Sequence, residues 1–555
     1  MTTAGTTASP AVLKFESELE QDLRRGLKPP APAIGVERPV RAWWMPPEHM
    51  QGPAWDAVEG GLILGRRAGR LIGCNDDRHI LLIAGTRAGK GVSLILPNLL
   101  RYKGSALIVD IKGELAYYTA ARRGHGSQHV AADKSMNGRV HILDPFDTTK
   151  GVDLPKARFN PLAELSPDDP NVVDDAARIA EGMIVPGQNE PHWGESAQSL
   201  LRALILLVLN DPDETRRNLL TVRALLRLTD VSIEQQKLVA IDDGDRISSQ
   251  QALIELMRAQ SVPPASANSE IIAGMAEQLA AMGPNELGSI LSTARTQTQW
   301  LDSPALQDML SVTKRESTLR LADLKQKDRN DKPCSVYLCL PATRMGTHNR
   351  WLRLIIALTL SVMERIDMSL ATSETPGEKA GGDAQNDSHK PLPVLFLLDE
   401  FPVLGHMQSI EDAAGQMAGF GVKLWTVIQD LGQLRKHYKA GASTFIGNSG
   451  VTIAFGNSDL VTLKELSGML GQTQVDEQHP TGVFGHQISS GAMQTKPHRG
   501  QAPLLAAHEV RLAFAREKRR ALILTAGYPP AVVERVIYHD PDDAEFRDMY
   551  PARRR

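Results

Sequence analysis

The chain is short of aromatic residues, cysteine, basic charge and long apolar runs, and each shortage excludes something. Phe, Trp and Tyr make up 5% of the 555 residues, so a core must be built from Leu, Ile, Val, Ala and Met. Cys74, Cys334 and Cys339 form an odd, sparse set, which excludes a disulfide framework and fits a reducing compartment. The formal net charge is −3, so the chain lacks the general basic surplus with which many proteins hold nucleic acid. A positive lining confined to one surface is compatible with that balance. The best apolar stretches, Leu200–Leu209 and Leu352–Met363, fall well short of the ~20 residues that cross a bilayer. Met1–Pro10 has no charged start followed by an apolar stretch, so it does not read as a signal peptide. The expected location is the cytoplasm, or the periphery of an inner membrane where partners hold the chain.

What is present is the composition of a soluble globular protein, 42% apolar and 23% charged. Residues 1–60 read as an irregular leader without transmembrane helices. Order is expected from Gly61, and His79–Ala84, Ser105–Asp110 and Val140–Pro145 are apolar runs of the kind buried on both faces of a parallel sheet. Strands alternating with helical segments predict an α/β fold with a parallel-rich sheet. From Leu165 to Val312 the spacing turns helical, as in Leu200, Leu201, Leu204, Ile205 and Val208. This predicts an all-α domain, residues 165–312, inserted into an α/β domain made of 61–164 and 313–545. Sheet character returns at Ser335–Leu340, Val394–Leu398, Lys423–Ile428 and Val451–Phe455. The polar stretches 371–391 and 472–499 are expected to be mobile loops, and 546–555 is a basic tail.

Three segments carry chemistry. Gly85-Thr86-Arg87-Ala88-Gly89-Lys90-Gly91-Val92 follows a buried strand and precedes a helix. Such a turn offers backbone N–H groups and the positive end of a helix dipole to a polyphosphate, and Lys90 would reach its β- and γ-phosphates. The match to the P-loop pattern is imperfect: Ala84 stands at the first glycine, and Gly91 stands where Ser or Thr would ligate Mg²⁺. A plain strand–helix turn is the alternative that this segment alone leaves open. Leu395–Glu400 is an apolar strand ending in two carboxylates. Asp399 is placed to hold Mg²⁺ through water and Glu400 to polarise an attacking water. Gln429, after the strand Lys423–Ile428, is placed to sense the γ-phosphate or orient that water. The alternative for Gln429-Asp430 is a solvated helix start. Together the segments point to binding of ATP with Mg²⁺ and its hydrolysis, with Lys90, Asp399, Glu400 and Gln429 as catalytic candidates.

The order and wording of these segments resemble the TraG-type coupling proteins of conjugation and type IV secretion. The resemblance runs through GTRAGKGVSLILPNLL (Gly85–Leu100), VDIKGELAYYT (Val109–Thr119), FNPL (Phe159–Leu162) and HWGESA (His192–Ala197). It continues through FLLDEFPVLG (Phe396–Gly405), GVKLWTVIQDLGQL (Gly421–Leu434) and GNSDLVTLKELSGML (Gly456–Leu470). It implies a RecA-like P-loop motor domain carrying an all-α domain, ATP hydrolysis and assembly as a homo-hexamer. It also implies transfer of relaxase-bound single-stranded DNA or effector proteins to a type IV secretion channel. In such a family Gly91 is compatible with activity, with water or Ser93 left to complete the Mg²⁺ shell. Two departures stand out. Membrane-spanning helices usual in the family are not seen, and Ser409–Phe420 holds no basic residue to reach a neighbour's ATP. Arg353 and Arg295 are the alternatives for that arginine. Rival readings are a double-stranded DNA pump of the FtsK/HerA kind and a nucleotide-binding adaptor that does not hydrolyse ATP.

Overall fold

The computed structural model describes Gln21 and residues 42–187, 191–242, 247–259, 268–325, 332–373, 392–480, 495–541 and 543–551. The strands along the chain are β1 (Leu62–Arg67), β2 (Arg70–Cys74), β3 (His79–Ala84), β4 (Ala106–Asp110), β5 (Arg139–Leu143), β6 (Cys334–Cys339) and β7 (Val394–Leu398). They continue with β8 (Val422–Ile428), β9 (Ser449–Phe455), β10 (Gln472–Pro480), β11 (Thr495–Pro503), β12 (Arg520–Thr525) and β13 (Ala531–Glu534). Two compact units result, Met1–Tyr102 with Trp425–Arg547 and Lys103–Leu424 with Asp548–Arg555. The chain passes between them within β8.

In the first unit the strand order is β2-β1-β13-β12-β9-β3-β8. β3 lies parallel to both its neighbours, with Ile80 opposite Trp425 on one side and Val451 on the other. All six residues of β3 are buried, which is what a strand covered on both faces demands of its sequence. The outer strands, β12 and β13, run antiparallel. The segment read as a leader enters this unit. Trp44, Met45, Met50 and Trp55 are buried, the Met45 N–H donates to Pro530 O at 2.7 Å, and Trp55 packs edge-on against Tyr528. Order, expected from Gly61, thus extends back to residue 42, through a segment that is irregular as read. Four large apolar side chains spread among prolines carry no periodic signal, yet their burial is worth roughly 1.5–3 kcal/mol each.

In the second unit β7, β4, β6 and β5 lie side by side and all parallel. Between Leu143 and Cys334 the described residues contain no named strand. Eight α-helices follow instead: Val172–Met183, Pro191–Leu209, Leu219–Arg227, Val231–Asp242, Ser249–Ala259, Ser269–Ala281, Pro284–Gln297 and Pro304–Leu310. Pro191–Leu209 buries an unbroken stripe from Leu200 to Leu209 apart from Arg202, the mark of a helix surrounded by others. Asn218 caps Leu219–Arg227 by accepting the N–H groups of Leu220 and Thr221. Arg223 then ties that helix to the next layer, donating to both carboxylate oxygens of Asp302 at 2.9 and 2.6 Å and to Arg295 O at 2.7 Å.

The three cysteines are free and buried. Of the stretch 371–391, residues 374–391 lie outside the described residues, as do 481–494 of the stretch 472–499. The flanks of the latter are not loop, because β10 and β11 pair as a regular antiparallel ribbon with Gln472 opposite Pro503 and Pro480 opposite Thr495. Ladder hydrogen bonds do not require apolar side chains, so polarity concealed this ribbon. Among the described residues no helix is long and apolar enough to cross a membrane.

Candidate functional site

β3 ends at Ala84 and the glycine-rich turn begins at once. Gly85 admits no side chain, since a Cβ there would lie 2.1 Å from Gly456 O. Gly456 (φ +63°) is under the same constraint, because its Cβ would meet that of Ala88 at 2.4 Å. These two glycines let the turn settle on the end of β9. Arg87 (φ 58°) and Gly89 (φ 93°) are left-handed and flank the buried Ala88. Alternation of this kind turns successive N–H groups to one side and carbonyls to the other, the geometry of an anion cradle. Thr86 and Arg87 are exposed, and Lys90 is half-buried.

After Lys90 the chain winds as a π-turn over Gly91–Ile95, with the Leu96 N–H reaching back to Gly91 O, and only then becomes the α-helix Leu96–Arg101. Pro97 has no N–H to give, which removes one ordinary helical bond here. The buried Ser93 hydroxyl donates to Gly89 O at 2.8 Å. That bond helps to hold the turn closed.

Gln429 follows β8 in the same unit, and the structure brings it to the turn. The Thr86 hydroxyl donates to Gln429 Oε1 at 2.8 Å, and Asn457 Nδ2 reaches Gln429 O at 3.3 Å. The helix-start alternative applies to the next residue. Asp430 caps Leu431–Tyr438 by accepting the Gln433 N–H at 2.8 Å.

Asp399 and Glu400 belong to the second unit, directly after β7. The β4–β7 register sets Val109 opposite Leu398, so Asp110 and Asp399 emerge from neighbouring strand ends. Asp110 is 2% exposed and accepts the N–H groups of Ala116 at 2.8 Å and Lys112 at 3.3 Å. Burial pushes its carboxyl up to about 7, and the charge of Asp399 adds to the rise. Two carboxylates that repel each other at the carboxyl edge of a parallel sheet form a donor set that suits a hard divalent cation with water in its shell. Asp110 was not singled out from sequence. The signal available was its place at the end of a buried strand, the same feature that drew notice to Asp399.

Glu400 adopts φ 56° and leads into the 3₁₀ turn Phe401–Leu404. A left-handed conformation costs a residue with a Cβ about 1 kcal/mol or more. That turn is held by Arg353, which is 6% exposed and donates to Leu404 O at 2.7 Å and His406 O at 2.6 Å. Arg353 is therefore an internal clamp, and Arg295, which donates to Leu226 O at 2.6 Å, is likewise engaged within its own unit. Neither is presented as the arginine that reaches a neighbour.

A glycine-rich turn between a buried parallel strand and a helix, in a mostly parallel sheet interrupted by the helical stretch between Leu143 and Cys334, defines the class as a RecA-like P-loop α/β fold. The sequence profile of the family described as type IV secretory system conjugative DNA transfer matches residues 48–552, and the chain belongs to that family. It is 25% identical over 516 residues to the conjugal transfer protein TraG of Escherichia coli, covering 90% of this chain and 72% of that protein. It is 26% identical over 472 residues to the protein VirD4 of Agrobacterium fabrum, covering 84% of this chain and 59% of that protein. Among solved structures, the bacterial conjugative coupling protein TrwB in its unbound form superposes with a TM-score of 0.57 at 15% identity, covering 94% of this chain and 98% of that chain. TrwB in complex with ADP and Mg²⁺ gives a TM-score of 0.56 at 15% identity, covering 94% and 99%. At that identity the likeness speaks for the fold.

Proposed function

We propose that this chain is an ATP-hydrolysing coupling protein that recruits relaxase-bound single-stranded DNA, effector proteins or both and drives them into a type IV secretion channel. The observation that carries the reading is the anion cradle of Gly85–Val92 at the carboxyl end of β3, with Gln429 hydrogen-bonded to its Thr86. In this reading Lys90 and the turn's N–H groups bind the β- and γ-phosphates of ATP. Asp399 holds Mg²⁺ through water, with Asp110 beside it. When bound, the cation neutralises charge that builds on the phosphates during transfer. Glu400 accepts a proton from the attacking water, and Gln429 orients that water. The likeness to TrwB, whose solved complexes hold ADP with Mg²⁺ or a non-hydrolysable ATP analogue, supports nucleotide as the ligand.

Turnover by the purified chain tests this. Lys90→Ala is expected to weaken ATP binding and turnover together, because a phosphate contact is lost. Glu400→Gln is expected to keep ATP binding and lose hydrolysis. Wild-type turnover in Glu400→Gln would refute the assignment of Glu400. Homo-hexamer formation completes the proposal, and sedimentation velocity with and without ATP and single-stranded DNA tests it, since a ligand that bridges subunits tightens assembly by mass action.

A second reading, an adaptor that binds nucleotide without hydrolysing it, draws on one observation. Gly91, at the place where Ser or Thr would ligate Mg²⁺, has no side chain, so the turn offers no hydroxyl at that place. Sustained Mg²⁺-dependent turnover would exclude the adaptor.

A further inference from the structure

The glycine-rich turn has a back as well as a front. Its N–H groups and Lys90 make the front, and the carbonyl of Ala88 points the other way. Ala88 is 3% exposed, so that carbonyl is denied water and needs a protein donor. The donor comes from the far end of the chain. Arg535 Nη1 donates to Ala88 O at 2.7 Å. A Cβ on Gly89 would stand 3.5 Å from the same nitrogen, which places the guanidinium directly behind the turn.

Arg535 is itself held on several sides. It is 9% exposed, its Nη2 donates to Arg516 O, and its own N–H donates to Arg519 O at 2.7 Å. Its guanidinium carbon lies 4.5 Å from the centre of the Phe455 ring, at the end of β9 on which the turn rests. Every hydrogen-bond acceptor given to it is a neutral carbonyl, and no carboxylate among the described residues forms an ion pair with it. Burial, with Arg519 and Arg516 next and Glu517 opposing them, pulls its pKa down to about 10, so it remains a cation at neutral pH. A buried cation whose hydrogen bonds all go to neutral carbonyls is costly, and an anion brought near it offsets that cost.

We propose that Arg535 is the positioning residue of the glycine-rich turn. It fixes the carbonyl side so that the N–H side stays set, and it supplies positive charge behind the seat of a nucleoside polyphosphate. The inference rests on the reading that this turn binds nucleotide. Lysine does not replace arginine here, because a single ammonium lacks the planar fork that joins two carbonyls while stacking on a ring.

The test uses the full chain as wild type, Arg535→Lys and Arg535→Gln. Calorimetry with a non-hydrolysable adenosine triphosphate analogue, the diphosphate and the monophosphate measures affinity, and thermal unfolding without nucleotide measures the fold. Arg535→Gln is expected to raise the triphosphate Kd about tenfold or more, and Arg535→Lys by a smaller factor. The loss is expected to shrink from triphosphate to monophosphate, while the unliganded midpoint of Arg535→Lys stays near wild type. Variants that bind triphosphate as the wild type does would overturn the inference alone, as would an equal loss for all three nucleotides. If Arg535→Gln does not fold, Arg535→Lys carries the same comparison. A wild type that binds no triphosphate would instead overturn the underlying reading of the turn.

Discussion

The Thr86 hydroxyl and the Gln429 carboxamide oxygen, 343 residues apart in sequence, are hydrogen-bonded at 2.8 Å. The bond makes the Thr86 hydroxyl the donor and the Gln429 carboxamide oxygen the acceptor. Gln429→Ala is therefore expected to lower turnover about 100-fold with nucleotide Kd changed by about threefold at most. Thr86→Val, which removes only the tether, is expected to produce a smaller fall of the same kind. Steady-state kinetics beside direct binding separates the two quantities, and equal kcat in wild type and Gln429→Ala would remove Gln429 from the mechanism.

Gly85 is expected to tolerate no larger residue. A Cβ at 2.1 Å from Gly456 O must push two backbones apart, and overpacking of that sort costs about 1–3 kcal/mol or more. Gly85→Ala is expected to lower the thermal midpoint of the apo chain by several degrees and to abolish triphosphate binding. Gly91→Ala meets nothing within 4 Å and serves as the control, with an unchanged midpoint.

The helical region has its own sensitive joint at Arg223 and Asp302. Arg223 is 8% exposed, so Arg223→Ala leaves buried acceptors unmatched and is expected to cost about 3 kcal/mol. Hydrogen bonding to Arg223 holds the Asp302 carboxyl below its usual range. A depressed carboxylate contributes stability above its unfolded value, about 3.9, and loses it as pH falls through the lower folded value. The stability gap between wild type and Asp302→Asn is thus expected to be full near pH 7 and to close below about pH 4. Chemical denaturation across that range checks the sign.

The cysteines are expected to be silent in the folded chain. Burial pushes the Cys334 thiol up to about 12 and the Cys339 thiol well above its ordinary value, and thiolate is the reactive form. At pH 8 an alkylating reagent is expected to label none of the three quickly in the native protein and all three after unfolding. Fast native labelling of Cys334 or Cys339 would contradict their place in β6.

The parts legible from sequence are those in which geometry and chemistry come from neighbours in the chain. A wholly apolar strand, a glycine-rich turn and a helix follow one another from His79 to Arg101, and strand β7 runs straight into Asp399 and Glu400. The helix Pro191–Leu209 announced itself through the spacing of Leu200, Leu201, Leu204, Ile205 and Val208, because a helix writes its buried face into its period. Tertiary structure decided the rest. Asp110 gained its meaning from the β4–β7 register. Arg353, an alternative for the arginine that the family resemblance implies would reach another subunit, is engaged by the carbonyls of Leu404 and His406. Arg535 reached Ala88 across 447 residues. Such long-range pairs leave no period or motif in one sequence, since a backbone carbonyl that needs a donor looks the same at every residue until folding takes its water away.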